Sequence, residues 1–264
     1  MEQSDINKSF KYPVRSVKCA FSLIEILARD KMEYSIAELI KESKMPKGTI
    51  YRLLGTLKSL GYIAHNRESR RYSLTYKFAR IGIAMNERIH VIEIIPHMKI
   101  LAEQYKEMVN LAVLDQNQIV YLHSIESPHA LKLDFKVGTY QPVHCTALGR
   151  VLLAYQDEST IKAILEKNDF KSYTSKTVTS PNQLNLIFQQ IRKQGYSFVN
   201  EEYRSGVCCI AVPIFDETGN IAASLSFSLP TARMETDIFN KMVDSLKNTA
   251  DRITLPKALG SFNK

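Results

Sequence analysis

The alternation of apolar and polar residues first becomes regular after residue 34. Ile36, Leu39 and Ile40 recur at the spacing of one helix face. Ser35 is followed three residues later by Glu38, which is the pattern of a capping box. The sequence therefore predicts a helix that opens at Ser35.

A second helix is predicted directly after it, following the corner at Met45. Pro46 suits its first turn, where the missing N–H would lack a partner in any case. Gly61 suits the position just past its end, because glycine adopts a left-handed conformation at little cost. Between these two residues runs one apolar stripe, formed by Ile50, Leu53, Leu54, Leu57 and Leu60.

The opposite face of the second helix is predicted to carry Gly48, Arg52, Gly55 and Ser59. Each internal glycine costs a helix about 1 kcal/mol relative to alanine, so two on one face suggest the close approach of another surface. An arginine between them can pair with a guanine edge or grip a phosphate. The candidate DNA contacts of this helix are Lys47, Gly48, Thr49, Tyr51 and Arg52.

A basic hairpin is predicted next. Residues 62–64 and 71–74 have strand character and flank a turn at 66–69. Arg67, Arg70 and Arg71 are expected at its tip, where they would meet phosphates. Helix, turn, helix and hairpin together make a winged helix-turn-helix that binds double-stranded DNA. The alternatives are a packed helical hairpin with a solvated loop, or a winged helix that binds protein.

The charge distribution favours the DNA-binding interpretation. The chain has 264 residues and a formal charge of +8. Residues 1–75 hold 14 Lys and Arg against 8 Asp and Glu and so carry +6 of that charge. A polyanionic partner attracts such a segment.

Nothing in the sequence predicts secretion, a membrane span or a disulfide framework. No apolar run approaches the roughly 18 residues that a span needs, and the N-terminus lacks the apolar core of a signal peptide. The cysteines Cys19, Cys145, Cys208 and Cys209 have no framework spacing. We expect a cytoplasmic protein with reduced thiols.

Two further helices are predicted around the motif. The first covers about 14–28, and its expected inner face is formed by Val17, Ala20, Phe21, Ile24 and Leu27. The second, at 76–89, should link two domains. In it, Ile81, Ala84 and Met85 would form a dimer seam or pack on a neighbouring domain.

The remaining chain has the pattern of an α+β domain with a mainly antiparallel sheet. Predicted hairpins lie at 110–125 and at 207–228, and single strands at LKLDF (131–135) and at 196–203. Helices are expected at 91–107, 147–155, 158–166, 183–194 and 237–253. The domain boundaries are then 13–75 for the winged helix, 76–89 for the linker helix and 90–259 for the second domain.

An anion site is predicted where the helix at 147–155 begins. Thr146 can cap this helix, and Gly149 would leave room above its first turn. Helix N-termini favour anions such as carboxylates. An enzyme would instead need Cys145 with His144, and neighbours in sequence seldom face each other. A thiolate metal site would need Cys208 and Cys209, which point to opposite faces of a strand. We therefore expect no catalytic residues, no metal and no cofactor.

Four segments in this order resemble the IclR family of bacterial transcriptional regulators, and the resemblance covers residues 14–253. They are VRSVKCAFSLIEILA, MPKGTIYRLLGTLKSLGYI, HCTALGRVLLA and GYSFVNEEYRSGVCCIAVPIFDETGNIAASLSFSLP. The resemblance implies a winged helix, a linker helix and a GAF-like effector-binding domain. It also implies homodimers or tetramers that bind palindromic operators and respond to small organic, sugar or aromatic acids. We expect a ligand-responsive repressor.

The resemblance also implies which residues bind the effector. The Glu201-Glu202 pair matches the family, and its carboxylates could order the pocket through backbone N–H groups. Val199 stands where some members have an acidic residue, which implies an effector other than a small keto-acid. Family pockets are built from the loop and helix start around residues 138–149 and from the late hairpin. The predicted effector-binding residues are Cys145, Thr146, Ala147 and Gly149 from the first segment and, carried over by position from the hairpin, Val207, Cys209, Ser226 and Ser228.

Overall fold

The computed structural model describes residues 14–89, 91–253 and 255. The chain divides into two compact units, Met1–Met85 and Asn86–Lys264. The described elements of the first unit are α1 (Arg15–Leu27), β1 (Tyr34–Ser35), α2 (Ile36–Ser43), α3 (Lys47–Ser59), β2 (Ile63–Asn66) and β3 (Arg71–Leu74). The three strands form an antiparallel sheet in the order β1-β3-β2. Helix α4 (Lys77–Ile89) follows.

The capping box at the start of α2 is confirmed. The Ser35 Oγ accepts a hydrogen bond from the Glu38 amide at 3.3 Å, and a Glu38 carboxylate oxygen accepts one from the Ser35 amide at 2.8 Å. These two bonds satisfy backbone donors that a helix N-terminus leaves unpaired. The described backbone before Ser35 is a short strand, so the helix begins where the sequence predicts.

Helix α3 differs slightly from its prediction at both ends. Pro46 is the N-cap residue rather than part of the first turn. Gly61 has φ 76°, the left-handed conformation expected after the helix. Leu60 is the C-cap and is 54% exposed, so it does not continue the buried stripe. Ile50, Leu54 and Leu57 do face the core.

The predicted inner face of α1 is right at Leu27 and Ile24, which meet the core, and wrong at Val17 and Phe21. Its buried residues are Leu23, Ile26 and Leu27, whereas Val17 is 52% and Phe21 is 59% exposed. The helix carries two apolar stripes, and the spacing of residues alone does not say which one meets the core of its own unit. The second stripe is left uncovered in the single chain.

The second unit is built around one six-stranded antiparallel sheet, in the order β6-β5-β4-β9-β8-β7. Its strands are β4 (Met108–Asp115), β5 (Gln118–Ile125), β6 (Tyr140–Pro142), β7 (Ser197–Asn200), β8 (Val207–Phe215) and β9 (Ile221–Pro230). Its helices are α5 (Val91–Tyr105), α6 (Ala147–Ala154), α7 (Glu158–Glu166), α8 (Pro181–Gln194) and α9 (Thr236–Ala250). The α+β fold class is thereby confirmed.

A separate apolar core lies on each face of this sheet. One core contains residues of α5 and α9, and the other contains residues of α6, α7 and α8. Successive residues of β8 alternate between the two cores: Cys208 and Ile210 contribute to the first, and Cys209 and Ala211 to the second. The expectation that Cys208 and Cys209 face opposite ways is confirmed.

Two sequence predictions in this unit need correction. Residues 131–135 form no strand; they run irregularly, with Leu131 71% exposed and Phe135 buried. Helix α8 begins at Pro181, two residues before the predicted start, because proline is well suited to the first position of a helix. Among the described helices, none is both long and apolar enough to cross a bilayer.

Candidate functional site

The outward side of α3 presents a recognition face, which we define as Gly48, Arg52, Gly55 and Ser59. All four residues are exposed. A Cβ added at Gly48 or Gly55 would meet no atom within 4 Å. Among the described residues, the Arg52 side chain has no hydrogen-bond or ion-pair partner. The face therefore combines an unpaired cation with two places where another surface can reach the helix backbone.

A second cation lies at the start of the same helix. The Lys47 ammonium lies 5.9 Å from the centre of the Tyr51 ring, and this ring is 48% exposed. Thr49 is half-buried beside them. These side chains offer a positive charge, hydroxyl groups and an aromatic edge, all of which can contact phosphate or bases.

The wing is the turn between β2 and β3. The Asn66 side-chain oxygen accepts hydrogen bonds from the amides of Glu68 and Ser69, at 2.9 and 3.2 Å, and so fixes the turn. Arg67 and Arg70 are exposed at its tip. The wing can therefore place two guanidinium groups against a phosphate backbone.

The sequence predicts Arg71 at the tip with the other two arginines, but the structure places its side chain elsewhere. Its guanidinium donates to the Glu33 carbonyl at 3.1 Å and to the Glu38 carboxylate at 3.2 Å. Hydrogen bonds from Lys31 and from Ser35 lower the pKa of Glu38 from 4.5 to about 2, so the carboxylate stays charged. Arg71 thus ties the wing to the capped start of α2.

The second unit contains a small cavity beside the start of α6 and the late strands. Its volume is about 20 Å³, so it is closed to anything larger than a water molecule. Seven of the eight predicted effector-binding residues line it. Val199, singled out in the sequence for its position in the family, also lines it. The lining residues not found from the sequence are Tyr121, Phe135, Gln141, Leu148, Tyr203 and Arg204.

The eighth residue, Gly149, does not line the cavity. A Cβ at this position would lie 2.5 Å from the Val143 Cα and 2.6 Å from the Thr146 Oγ. The glycine is therefore needed for the backbone around Val143 to pack against α6, and it leaves no room for a ligand. Thr146 does cap the helix, since its hydroxyl oxygen accepts a hydrogen bond from the Gly149 amide at 3.2 Å.

The hydroxyl groups in the cavity differ in their bonding. Ser228 Oγ accepts a hydrogen bond from Asn110 at 3.1 Å and lies 3.2 Å from the Cys209 sulfur. Tyr121 donates to the Gln141 side chain at 2.9 Å. Ser226 Oγ is fully buried and has no partner among the described residues. A buried hydroxyl in that state is available to a ligand.

The cysteine and histidine side chains do not form a nucleophilic pair. Burial raises the pKa of the Cys145 thiol to about 12 and that of Cys209 to about 11, so both stay protonated. The His144 Nε2 lies 3.0 Å from the Lys171 carbonyl. Within the described chain, no group of three His, Cys, Asp or Glu residues could hold a metal ion.

A buried ion pair beside the cavity was not found from the sequence. Arg150 forms two hydrogen bonds with the Glu202 carboxylate and one with the His144 carbonyl. The signal was present, because an arginine inside the apolar run ALGRVLLA needs a buried partner. The partner itself, 52 residues away, is not visible in local spacing.

The predicted role of the acidic pair in ordering backbone N–H groups matches the contacts found. The Glu202 carboxylate also accepts a hydrogen bond from the Val178 amide at 2.9 Å, and the Glu201 carboxylate accepts one from the Gly206 amide at 2.6 Å. Both carboxylates therefore hold the loop between β7 and β8, on which Tyr203 and Arg204 lie.

Comparison with known proteins gives matches over nearly the whole chain. The family model described as the IclR helix-turn-helix domain matches residues 16–67, and the model described as bacterial transcriptional regulator IclR C-terminal matches residues 84–255. The transcriptional regulator KdgR of Escherichia coli is 37% identical over 255 residues, which is 96% of each protein. KdgR of Dickeya chrysanthemi is 38% identical over 91% of this chain and 79% of its own length. The crystal structure of the Thermotoga maritima IclR protein is similar, with a TM-score of 0.75 and 26% identity over 90% of this chain and 97% of that one.

Proposed function

Since this chain belongs to the IclR family of bacterial transcriptional regulators, we propose that it is a repressor that releases a palindromic operator when a small organic or sugar acid binds its second unit. DNA binding and regulation of transcription follow from the family. The direction of regulation, the operator symmetry and the acid are proposals. The observation that carries the DNA-binding role to particular residues is the unpaired Arg52 between two open glycines on α3.

We propose that the recognition face and the wing are the DNA contacts. Lys47, Thr49 and Tyr51 would join Arg52 on the groove, and Arg67 and Arg70 would bind phosphates. Arg71 would support the wing instead, because its guanidinium is occupied by Glu33 and Glu38.

A palindrome requires at least two copies of the recognition helix. In two-fold complexes of this kind, equivalent helices enter the major groove about 34 Å apart. The uncovered apolar stripe of α1, with Val14, Val17 and Phe21 all more than half exposed, supports a homo-oligomer in which a second copy covers it. Dimer and tetramer are both compatible with that stripe. Because such a regulator acts on the chromosome, the proposed location is the cytoplasm.

The cavity is the proposed effector site. It combines a helix N-terminus, which favours an anion, with a buried hydroxyl at Ser226 that lacks a partner. Burial raises the pKa of the Cys145 thiol to about 12 and so keeps it protonated, and the relatives of this chain are regulators. Both facts favour sensing over catalysis.

The experiment is a selection of DNA by the full-length protein from a random-sequence pool, followed by footprinting. The proposal expects a symmetric site and a steep loss of affinity with salt. Release of this site is then measured against a panel of organic and sugar acids. Ser226→Ala with Ser228→Ala should keep DNA affinity and weaken the effect of the active acid. A protein without sequence preference, or whose DNA binding no acid changes, would contradict the proposal.

A further inference from the structure

Arg204 lies over the cavity and is held there by two aromatic rings. Its guanidinium carbon is 5.4 Å from the centre of the Phe135 ring and 5.8 Å from that of Tyr203. Of the described residues that line the cavity, it alone carries a charge at neutral pH. Arg204 is not conspicuous in the sequence, because an arginine in the polar run EEYRSG is typical of a solvated loop.

The charge of Arg204 is not neutralised by the protein. Within the described part of the chain its side chain forms no ion pair and no hydrogen bond. The two nearest carboxylates in sequence are engaged elsewhere: Glu201 with Lys176 and the Gly206 amide, and Glu202 with Arg150 and the Val178 amide. Stacking on rings holds a guanidinium in place while leaving its N–H groups free to donate.

The loop that carries Arg204 is held in place by many contacts. The Glu201 and Glu202 side chains hold it as described above. In addition, the Thr177 hydroxyl donates a hydrogen bond to the Glu202 carbonyl at 2.6 Å, and the Thr174 hydroxyl donates one to the Glu201 carbonyl at 2.7 Å. A cation on such a loop is presented in a fixed place, so binding a ligand there costs little ordering of the backbone.

The interior of the cavity suits the same anion. Ala147 and Leu148, in the first turn of α6, lie on its wall, and the N-terminal end of a helix attracts negative charge. Ser226 offers a buried hydroxyl without a partner. The charge of Arg204 also acts inside the cavity: burial raises the pKa of the Tyr121 hydroxyl well above 10, and Arg204 opposes that rise.

We propose that Arg204 binds the carboxylate of the effector and selects acids over neutral molecules of the same shape. The inference rests on the proposed effector site. We expect the Phe135 ring, which lines the cavity beneath the guanidinium, to withdraw when an acid binds, because a cavity of about 20 Å³ must widen to admit one. Residues 131–135 belong to no helix or strand, so no backbone ladder opposes the withdrawal. The Tyr203 ring still stacks on Arg204 after that movement and keeps its N–H groups in place for the incoming carboxylate.

The test measures, by calorimetry, how tightly the full-length protein binds an acid and the neutral amide of the same acid. The probes are gluconate, galacturonate and 4-hydroxybenzoate, each compared with its primary amide. We expect an acid that binds the natural protein to bind Arg204→Gln at least about tenfold more weakly, because a hydrogen bond between charged groups is lost. Arg252→Gln removes the same charge from an exposed position outside the cavity lining and should bind the acid like the natural protein. Among the described residues, Arg204 has no hydrogen bond or ion pair to lose, only its stacking on two rings, so thermal unfolding without ligand should confirm that Arg204→Gln is folded.

The outcomes separate this inference from the proposed function. Equal acid affinity in Arg204→Gln and the natural protein would overturn the role of Arg204 and leave acid sensing intact. An amide that binds the natural protein as tightly as its acid would also overturn it. If none of the acids binds the natural protein, the acid-sensing function and this inference both fail.

Discussion

Arg150 and Glu202 face each other in the interior of the second unit and form two parallel hydrogen bonds, at 2.7 and 2.5 Å. The relative exposure of the two residues is 2% and 8%. The pair joins α6 to the loop between β7 and β8, so the start of α6 and the loop carrying Arg204 are fixed to each other.

Removing the charge of Glu202 should destabilise the protein strongly. Glu202→Gln leaves the Arg150 guanidinium buried without its counter-charge, and we expect the free energy of unfolding to fall by about 3 kcal/mol. Urea unfolding at pH 7 measures this loss. The control is Glu126→Gln, whose side chain is 61% exposed in a surface pair with Lys132, and which should leave the unfolding midpoint unchanged. A similar loss of unfolding free energy in both variants would contradict the stabilising role of the buried Arg150–Glu202 pair.

Glu38 should make the winged-helix unit sensitive to acid. Its pKa lies at about 2 in the folded protein against an ordinary 4.5, chiefly through the hydrogen bond from Lys31. A lowered pKa means that the charged form is favoured on folding. Its stabilisation is therefore complete above pH 4.5 and is lost as the pH falls towards about 2. The difference in thermal midpoint between the natural protein and Glu38→Gln should shrink over that range. A difference independent of pH would show that the charge is not responsible.

Arg52→Ala should remove most of the sequence-specific DNA affinity. A bidentate contact to a base contributes about 1–3 kcal/mol, so we expect a loss of about tenfold or more in a gel-shift assay on the selected site. Binding of the effector acid should be unaffected. Arg29→Ala removes the same charge from the same unit, but Arg29 is paired with Glu42, and this variant should keep most of the affinity. Equal effects of the two variants would reject the recognition face.

Alanine at the glycines of α3 should stabilise the protein and weaken DNA binding. Since a Cβ at Gly48 or Gly55 meets no atom, each replacement should raise the free energy of unfolding by about 1 kcal/mol. The added methyl groups stand where the DNA backbone or a base edge would approach. Gly82→Ala in α4 is the matched control, because it also meets no atom and lies outside the recognition face. Undiminished DNA affinity in the double variant Gly48→Ala with Gly55→Ala would contradict a close approach of DNA to the backbone of α3.

The sequence was sufficient for features that depend on local chemistry. The capped start of α2, the left-handed residue at Gly61 and the outward position of Arg52 all follow from neighbours within a few residues, and the structure has each of them. The two late strands were also found, because their turn and their apolar runs lie close together in the chain.

Features that depend on distant partners were missed or misassigned. Alternation in LKLDF fits a strand, but a strand also needs a neighbour with free backbone groups, and local spacing does not reveal whether one is available. The inner face of α1 was misassigned at Val17 and Phe21, because the helix has a second apolar stripe that is exposed. Gly149 was assigned to the ligand, and only the position of Val143 shows that packing requires it.

The alternation of β8 between two cores has a mechanical consequence. Only one layer of backbone separates Cys209 and Ser226, which line the cavity, from Ile210 and Phe227, which pack with α5 and α9. Protein interiors are too densely packed to absorb an inserted molecule locally. A ligand that widens the cavity on one face of the sheet must therefore displace side chains on the other face. The strands would transmit that displacement to α5 and α9.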